Sequence, residues 1–309
     1  METVLGLFFT LLWSSAAIAT KFGLNSTTPL VLATTRFLIA GSLLFLYVYL
    51  LNKKYPWPRS QEWGSLIVLG LLNTTIYLGA TFWSLNYVSA GLFNLFVTTN
   101  PFVVAFLSSI WLKRKVYLQE WIGMVIAAFG LLIAIWPSIT TSEASVYGLI
   151  ILGIGMVSMA IGSVYFKKVN LNLPGIVINT WQVSIGGVAL IPIAFILEKE
   201  NFFLKLDYYF LGSLFWLVFI ISIGTMLLWF YLLKQDTVRA NNWLFMTPIF
   251  GYILATIFLN ESITMFDITA TVFVVMGLLL SGNIAVLPIK KLQNRIRKVN
   301  YDSRSKNIK

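Results

Sequence analysis

Two segments of the sequence combine an asparagine with a proline at the same spacing inside long apolar runs. The first, NLFVTTNPF, begins at Asn94 and reaches Pro101 seven residues later. The second, NNWLFMTPIF, begins at Asn241 and reaches Pro248 seven residues later. Proline removes one hydrogen bond from a helix and frees a carbonyl, and an asparagine amide both donates and accepts. Each segment therefore offers polar groups to a ligand, with its proline as a candidate hinge.

On a helix, Asn94, Thr98 and Pro101 stand at i, i+4 and i+7 and share one face. A substrate-binding role is one interpretation of that polar face. The other is that Asn and Thr bond to neighbouring helices, at about 0.6 kcal/mol each, while proline sets a kink. The same two interpretations apply to the other polar and aromatic side chains that we regard as candidate substrate-binding residues, namely Trp13, Ser14, Asn73, Tyr77, Ser158 and Trp229.

Arg36 is the residue whose placement in a membrane costs the most. It follows Pro29 by seven residues, which is about 10 Å along a helix. A charge at that depth costs about 2.5 kcal/mol or more, and less if the side chain reaches the membrane surface. Arg36 either attracts a substrate carboxylate, or it extends to the surface and caps the carbonyls of a helix end.

The composition predicts an all-α integral membrane protein. Hydrophobic residues make up 58% of the 309 residues and charged residues only 11%, too few charges to cover a water-soluble fold. The chain contains no Cys and no His, which excludes thiol chemistry, a His-based catalytic triad, and zinc or haem sites built on those ligands. We expect no cofactor, no metal and no enzymatic activity.

Hydropathy predicts ten membrane-spanning helices, because a helix needs about 20 apolar residues to cross the hydrocarbon core. The ten runs are 3–22, 29–51, 64–86, 90–112, 118–136, 147–167, 174–197, 210–233, 238–259 and 266–287. The residues that follow, 288–309, form a polar and basic tail.

The net charge of +11 reflects membrane topology rather than nucleic-acid binding. Alternate loops and the tail carry eighteen of the 22 Lys and Arg residues, and the opposite loops collect acidic residues. Basic residues mark the cytoplasmic side of a membrane protein. Both termini are therefore predicted to be cytoplasmic, and we expect a multi-pass protein of the cell's inner (plasma) membrane, with the lipid bilayer as its main partner.

An internal repeat divides the chain into two units of five spans, residues 1–137 and 146–287. A shift of 147 residues superimposes Asn94 on Asn241 and Pro101 on Pro248, and it aligns GLL at 130–132 with GLL at 277–279. Because five is odd, the second unit enters the membrane from the opposite side. This predicts an inverted repeat, the architecture in which many secondary transporters alternate access.

These features resemble an EamA-type member of the drug/metabolite transporter superfamily. The resemblance covers residues 1–290, and it lies in WSSAAIATK at 13–21, TTRF at 34–37, Pro101, and Pro248 followed by LNES. It implies a ten-helix exporter of small metabolites, often amino acids. It also implies a central cavity lined by spans one, three, four, six, eight and nine, with spans five and ten outside it. The family often has Glu after the fourth span, where this chain has KRK, so no coupling role is assigned there.

The sequence predicts an uncoupled carrier of small polar solutes. No Asp or Glu lies in the middle of a span, whereas proton antiport usually needs a buried titratable group. No P-loop pattern for ATP is present. The alternatives are efflux of amphipathic toxic compounds by the same fold, or a membrane subunit that transports nothing. We expect a monomer or a weak homo-oligomer.

Overall fold

The computed structural model describes residues 2–113, 117–141, 145–235 and 243–280. Those residues form helices and connecting loops, and within them the only β pairing is an isolated bridge between Thr27 and Leu204. The helices are α1 (Glu2–Gly23), α2 (Pro29–Leu51), α3 (Ser60–Ser84), α4 (Ala90–Trp111), α5 (Leu118–Thr141), α6 (Val146–Val169), α7 (Gly175–Glu198), α8 (208–235), α9 (Thr247–Leu259) and α10 (Met265–Leu280).

Eight of these helices are long and apolar enough to cross a membrane, α1 to α8. Helices α9 and α10 are apolar but shorter within the described residues. The predicted ninth and tenth spans run into 236–242 and 281–287, which lie outside the described residues, as does the predicted tail at 288–309. The structure thus supports a multi-pass membrane protein, while ten spans and cytoplasmic termini stay predictions.

Local sequence signals set where several helices begin and end. Pro29 opens α2, where its missing N–H costs no hydrogen bond. The side chains of Ser89 and Asp207 accept backbone N–H groups in the first turns of α4 and α8. Asn170 ends α6 in the left-handed conformation at φ 44°, which asparagine tolerates better than most residues.

The most extensive helix contacts follow the internal repeat. When each helix is replaced by its counterpart in the other half, each contacting pair corresponds to itself or to another contacting pair. Helix α5 packs on α10, α2 on α7, and α4 on α9. The contact of α1 with α9 corresponds to that of α6 with α4, and the contact of α3 with α6 corresponds to that of α8 with α1. Helices α5 and α10 pack mainly on each other, and a Cβ at Gly277 would overlap the backbone of Gly123 and Ala127. This pair therefore stands beside the bundle.

Helix α4 is interrupted near its middle, at Thr98 and Thr99. Their N–H groups bond to the carbonyls of Leu95 and Phe96 at 3.2 and 3.0 Å, and their hydroxyls donate to the same carbonyls at 2.6 and 2.7 Å. Pro101 then stands second in the following segment, Asn100–Trp111. A tight turn thus separates the two segments, although Thr98 and Thr99 keep right-handed backbone angles, and the shared face of Asn94, Thr98 and Pro101 stays a prediction. The hydroxyl groups together with proline favour the break.

Pro248 occupies the equivalent place in the second half. It is the second residue of α9, and a single tight turn, Leu244–Met246, precedes that helix. The 147-residue shift carries the start of Asn100–Trp111 onto the start of α9, so both prolines open a helix after a turn. The repeated spacing in the sequence thus corresponds to a repeated backbone feature.

Candidate functional site

Ser14 and Asn94 join three helices at one seam. The Ser14 hydroxyl is within 2.8 Å of the Thr10 carbonyl and 3.2 Å of the Thr247 carbonyl in α9. The Asn94 amide nitrogen donates to the carbonyls of Ala90 at 3.0 Å and Ser14 at 3.3 Å. These contacts bring α1, α4 and α9 together, with the donor groups of both side chains directed at backbone carbonyls.

The seam is closely packed. Asn94 and Thr98 are 1% and 0% exposed, so neither presents its side chain to the outside of the bundle. A Cβ at Gly251 would overlap the Asn94 side chain, and a Cβ at Gly91 would overlap the ring of Tyr252. Glycine at these two positions therefore permits the close approach of α4 and α9. Asn241, the predicted partner of Asn94 in the second half, lies outside the described residues.

A second group of polar contacts crosses α2, α8, α7 and α3. Nε of Arg36 donates to Oγ of Ser222 at 2.9 Å, and the amide of Asn179 donates to the Ser222 carbonyl at 3.2 Å. Farther along the same face of α7, Gln182 accepts a 2.8 Å hydrogen bond from the amide of Asn73. We call these five residues the polar chain. Two of the predicted substrate-binding residues, Arg36 and Asn73, thus belong to one series of contacts that joins α2, α8, α7 and α3.

Three helices of the polar chain, α2, α3 and α8, contain π-helical turns, and in α3 and α8 the turn includes a residue of the chain. The turn in α3 is Leu71–Ile76 and includes Asn73, and the turn in α8 is Trp216–Thr225 and includes Ser222. The 147-residue shift carries 71–76 onto 218–223, inside the second turn. A π turn displaces the backbone hydrogen bonds and is frequent at functional sites. In α8, the carbonyl of Ser222 accepts a side chain from α7.

Arg36 is 4% exposed and lies between aromatic rings. Its Cζ is 5.1 Å from the ring centroid of Phe37 and 5.4 Å from that of Phe82, within cation–π range. The Tyr77 hydroxyl is close enough to interact with it electrostatically. The expectation that this guanidinium extends to the membrane surface does not fit such burial.

The charge of Arg36 has no acidic partner in the part of the chain that the structure describes. Its only protein hydrogen bond there is the one from Nε to Ser222. The buried side-chain atoms that lack a partner are Thr34 Oγ1 and Trp83 Nε1, and the terminal nitrogens of Arg36 are not among them. Those nitrogens form no hydrogen bond to the described residues, so they are free to donate to a ligand or to water.

Trp13 and Trp229 come together between α1 and α8. Their ring centroids are 6.4 Å apart, and the ring of Phe9 lies 5.5 Å from Trp13 and 5.1 Å from Trp229. Both tryptophans are partly exposed, whereas Phe9 is fully buried. The pair presents an aromatic surface beside the seam of Ser14.

Helix α6 is joined to α3 and α4 by side chains that donate hydrogen bonds to backbone carbonyls. The Ser158 hydroxyl donates to the Leu72 carbonyl of α3 at 2.8 Å, and the Asn100 amide of α4 donates to the Met156 carbonyl at 3.1 Å. A Cβ at Gly162 would overlap the amide of Asn73. Ser158 thus joins α6 to the π-helical turn of α3.

Ser222 and Asn100 were not among the site residues that the sequence predicts. Ser222 is one of two hydroxyl residues in the apolar stretch WLVFIISIGT, and no local pattern marks it. The internal repeat offers a signal, because the 147-residue shift aligns Ser222 with Thr75. The hydroxyl of Thr75 donates to the Gly186 carbonyl of α7 at 3.1 Å, so both residues bond across helices.

Carboxylates at the predicted outer ends of the helices cap helix starts. Glu198 accepts from the Thr28 hydroxyl at 2.6 Å and from the N–H groups of Leu30 and Val31 at 2.7 and 2.9 Å. Glu261 accepts from the N–H groups at residues 90 and 91, the start of α4, at 2.9 and 3.1 Å. Both carboxylates belong to the second half and stabilise helices of the first half.

Asp207 holds the loop between α1 and α2 in a similar way. The Ser26 hydroxyl donates to it at 2.6 Å, and the N–H of Phe210 donates at 3.0 Å. The hydrogen bond from Ser26 holds the pKa of Asp207 below its ordinary value, and the bond from Phe210 acts in the same direction. Within the described residues, no three acidic side chains approach each other closely enough to hold a metal ion.

The chain matches known proteins over most of its length. The model of the EamA-like transporter family matches residues 1–136 and 146–283. The uncharacterized transporter YvbV of Bacillus subtilis (strain 168) is 27% identical over 258 residues, which are 84% of each chain. The protein PecM of Dickeya dadantii (strain 3937) is 24% identical over 282 residues, covering 90% of this chain and 91% of PecM.

The fold also matches a solved structure. One crystal structure superimposes with a TM-score of 0.65 at 15% sequence identity, and the match covers 91% of this chain and 95% of that one. At this identity the likeness concerns the fold alone. The family match extends over both halves of the helical bundle, in agreement with the resemblance noted in the sequence. The chain belongs to the EamA-like transporter family.

Proposed function

We propose that this protein is a secondary transporter that exports small metabolites, amino acids or related polar solutes, by alternating access and without ion coupling. The observation that carries the proposal is the polar chain. Arg36, Ser222, Asn179, Gln182 and Asn73 place a charge and three amides inside an apolar bundle, across helices of both halves. Polar groups at this depth are costly, and in membrane proteins they mark substrate paths.

The candidate site residues divide into two roles under this proposal. Arg36, Tyr77, Asn73, Trp13 and Trp229 contact the substrate, because charge, amide and aromatic surface together suit a small solute with one polar end. Ser14, Asn94, Thr98 and Ser158 line the path and hold its helices together, since their donors already bond to backbone carbonyls.

The two helix breaks provide the movement. Pro101 and Pro248 each open a helix after a turn, at positions related by the internal repeat. A transporter with two inverted halves rocks one half against the other around a fixed site. We propose that Pro101 and Pro248 are the hinges of that motion, and the sequence repeat aligns Asn241 with Asn94.

The positions of three carboxylates support the proposal of uncoupled transport. Glu198, Glu261 and Asp207 lie at helix ends and are occupied in capping. Proton antiport usually requires a titratable acid or histidine within the membrane, in contact with the path. Exchange or facilitated diffusion down a substrate gradient requires neither.

Solute counterflow in proteoliposomes tests the proposal. The purified chain is reconstituted, the vesicles are loaded with one unlabelled amino acid at a time, and entry of the same labelled amino acid is followed. Faster entry into loaded than into unloaded vesicles supports a carrier, and protein-free vesicles show the leak. If no amino acid exchanges through folded protein, the proposed substrate class is wrong.

A further inference from the structure

We propose that the binding site selects organic anions, and that substrates are preferred in the order of anion, zwitterion, cation. This inference rests on the proposed function and names the charge class of its substrate. The ligand is a small carboxylate whose acidic group bonds to the terminal nitrogens of Arg36. The family match implies a transporter and does not imply this order.

The charge of Arg36 is uncompensated within the protein. Arg36 carries a full positive charge at 4% exposure and forms no ion pair with a carboxylate in residues 2–113, 117–141, 145–235 or 243–280. A buried charge is normally paired, because leaving it unpaired costs several kcal/mol. A bound anion supplies the missing partner, and bidentate bonding to a carboxylate suits the guanidinium geometry.

The guanidinium of Arg36 has a fixed direction. Nε is occupied by Ser222 at 2.9 Å, which fixes the plane of the group from one edge. The rings of Phe37 and Phe82 lie within cation–π range of it. The terminal nitrogens form no hydrogen bond to the described residues and are free to donate. The group is therefore held in place by the protein and presents its two-pronged edge to a ligand.

Among the described residues, no carboxylate contacts Arg36 that could bind the ammonium group of a ligand. The acidic residues nearest to the ends of α2 and α4 are Glu198 and Glu261, and each is engaged with backbone N–H groups at a helix start. Arg36 is seven residues beyond the start of α2, about 10 Å farther along the axis. No nearby carboxylate of the described residues balances the positive potential around Arg36, so that potential attracts anions and repels cations.

The apolar surroundings define the rest of the ligand. Phe37, Phe82 and Tyr77 are buried beside Arg36 and offer no charge. A carboxylate attached to a small apolar body matches this environment better than a sugar or a second charged group does. We therefore use the carbon skeleton of leucine as the probe, in three forms that differ in charge: 4-methyl-2-oxopentanoate as the anion, leucine as the zwitterion and leucinamide as the cation.

The experiment measures binding without requiring transport. The full-length chain is purified in detergent, and the rise in its unfolding temperature is followed as each probe is titrated, since a ligand that binds the folded state stabilises it. We expect the anion to bind more tightly than the zwitterion, and the cation to bind weakest. Equal affinity for all three probes, preference for the cation, or no binding of the anion would overturn the proposal.

Variants connect the order to Arg36. Arg36→Gln should weaken anion binding by about tenfold to a hundredfold, as expected for loss of charge-assisted hydrogen bonds, and should leave the cation unchanged or bound more tightly. Arg36→Lys keeps the charge but loses the planar guanidinium group and its paired donors. This variant should therefore bind the three probes in the same order of affinity, but more weakly. The control is Lys199→Gln, which removes one exposed positive charge at the end of α7 and should change nothing.

The outcomes for the site and for transport are separable. If the probes bind with affinities in the order of anion, zwitterion, cation but none of them shows counterflow, the anion site is supported and the transporter proposal is contradicted. Counterflow of the anion, zwitterion and cation at similar rates would support the transporter proposal and contradict the anion site. If Arg36→Gln does not fold, Arg36→Lys and the three wild-type titrations still decide the question, because a charge order in the wild type is required in either case.

Discussion

Nε of Arg36 lies 2.9 Å from Oγ of Ser222, a contact that joins α2 to the π-helical turn of α8. The same serine accepts the amide of Asn179 on its carbonyl at 3.2 Å. One residue thus positions a charged group from the first half of the chain and an amide from the second. The proposed substrate path depends on this junction between the two halves.

Ser222→Ala tests whether the serine positions the arginine. Loss of its hydroxyl leaves Nε without its partner and allows the guanidinium to turn, so the affinity for carboxylates should fall by about fivefold to tenfold, as expected for one hydrogen bond to a charged group. Titration of the unfolding temperature with 4-methyl-2-oxopentanoate measures the change. The matched control is Ser213→Ala, because its hydroxyl bonds to the Ala19 carbonyl at 2.7 Å and does not contact Arg36. Equal effects of both variants would argue against a positioning role.

Asn94→Leu tests whether the seam of α1, α4 and α9 belongs to the path. The substitution removes two hydrogen bonds to carbonyls, and double-mutant data on membrane helices put such bonds at about 0.6 kcal/mol each. We expect a small loss of stability and a large loss of counterflow. Thermal unfolding and transport are measured on the same preparation. Unchanged counterflow would show that Asn94 only packs helices.

Asn241→Leu is the companion variant in the second half. The internal repeat aligns Asn241 with Asn94 in sequence, and the two substitutions should reduce counterflow to a similar degree if both halves line one path. Transport that survives both substitutions would remove the repeated Asn and Pro segments from the proposed site.

Glu198→Ala should destabilise the predicted outer end of the bundle. The carboxylate accepts three hydrogen bonds at the start of α2, and loss of a helix cap costs about 1 kcal/mol, or more where the cap is buried. Glu198→Gln keeps one acceptor oxygen and should recover part of the loss. The midpoint of thermal unfolding reports both. A midpoint that does not change in Glu198→Ala would contradict the capping role.

Asp207 predicts how stability changes in acid. The pKa of Asp207 is lowered in the folded chain, chiefly by the hydrogen bond from Ser26. The ionised carboxylate therefore stabilises the fold above the unfolded pKa of about 4, and this stabilisation is lost as pH falls through the lower folded pKa. Asp207→Asn should therefore be less stable than the wild type near neutral pH, and the difference should disappear in strong acid. Unfolding midpoints at a series of pH values test this. A difference independent of pH would point to packing instead.

The sequence could predict the elements of this fold better than their contacts. The bounds of α2 and α4 agree with the hydropathy runs within about one residue, because apolar length is a local property. The charge of Arg36 inside a span was also visible, but the sequence left open whether its side chain is buried or extends to the membrane surface. The break at Thr98 was not, since it depends on side chains that bond to the carbonyls of their own turn.

Contacts between distant segments account for the rest of what the sequence did not indicate. Ser222 and Arg36 are separated by 186 positions, and no local periodicity joins them. The sequence did not predict the π-helical turns that contain Ser222 and Asn73. The internal repeat was the one non-local signal in the sequence, and it relates Ser222 to Thr75.

Transport under an imposed pH gradient tests the central claim, an uncoupled carrier, most directly. Proteoliposomes containing the wild-type chain are clamped at zero potential with potassium and valinomycin, and labelled leucine and 4-methyl-2-oxopentanoate are followed to equilibrium with and without the gradient. The membrane-permeant fraction of each solute is measured in protein-free vesicles. We predict equal final levels inside and outside in both conditions. Accumulation that requires both the protein and the gradient would show proton coupling and contradict uncoupled transport.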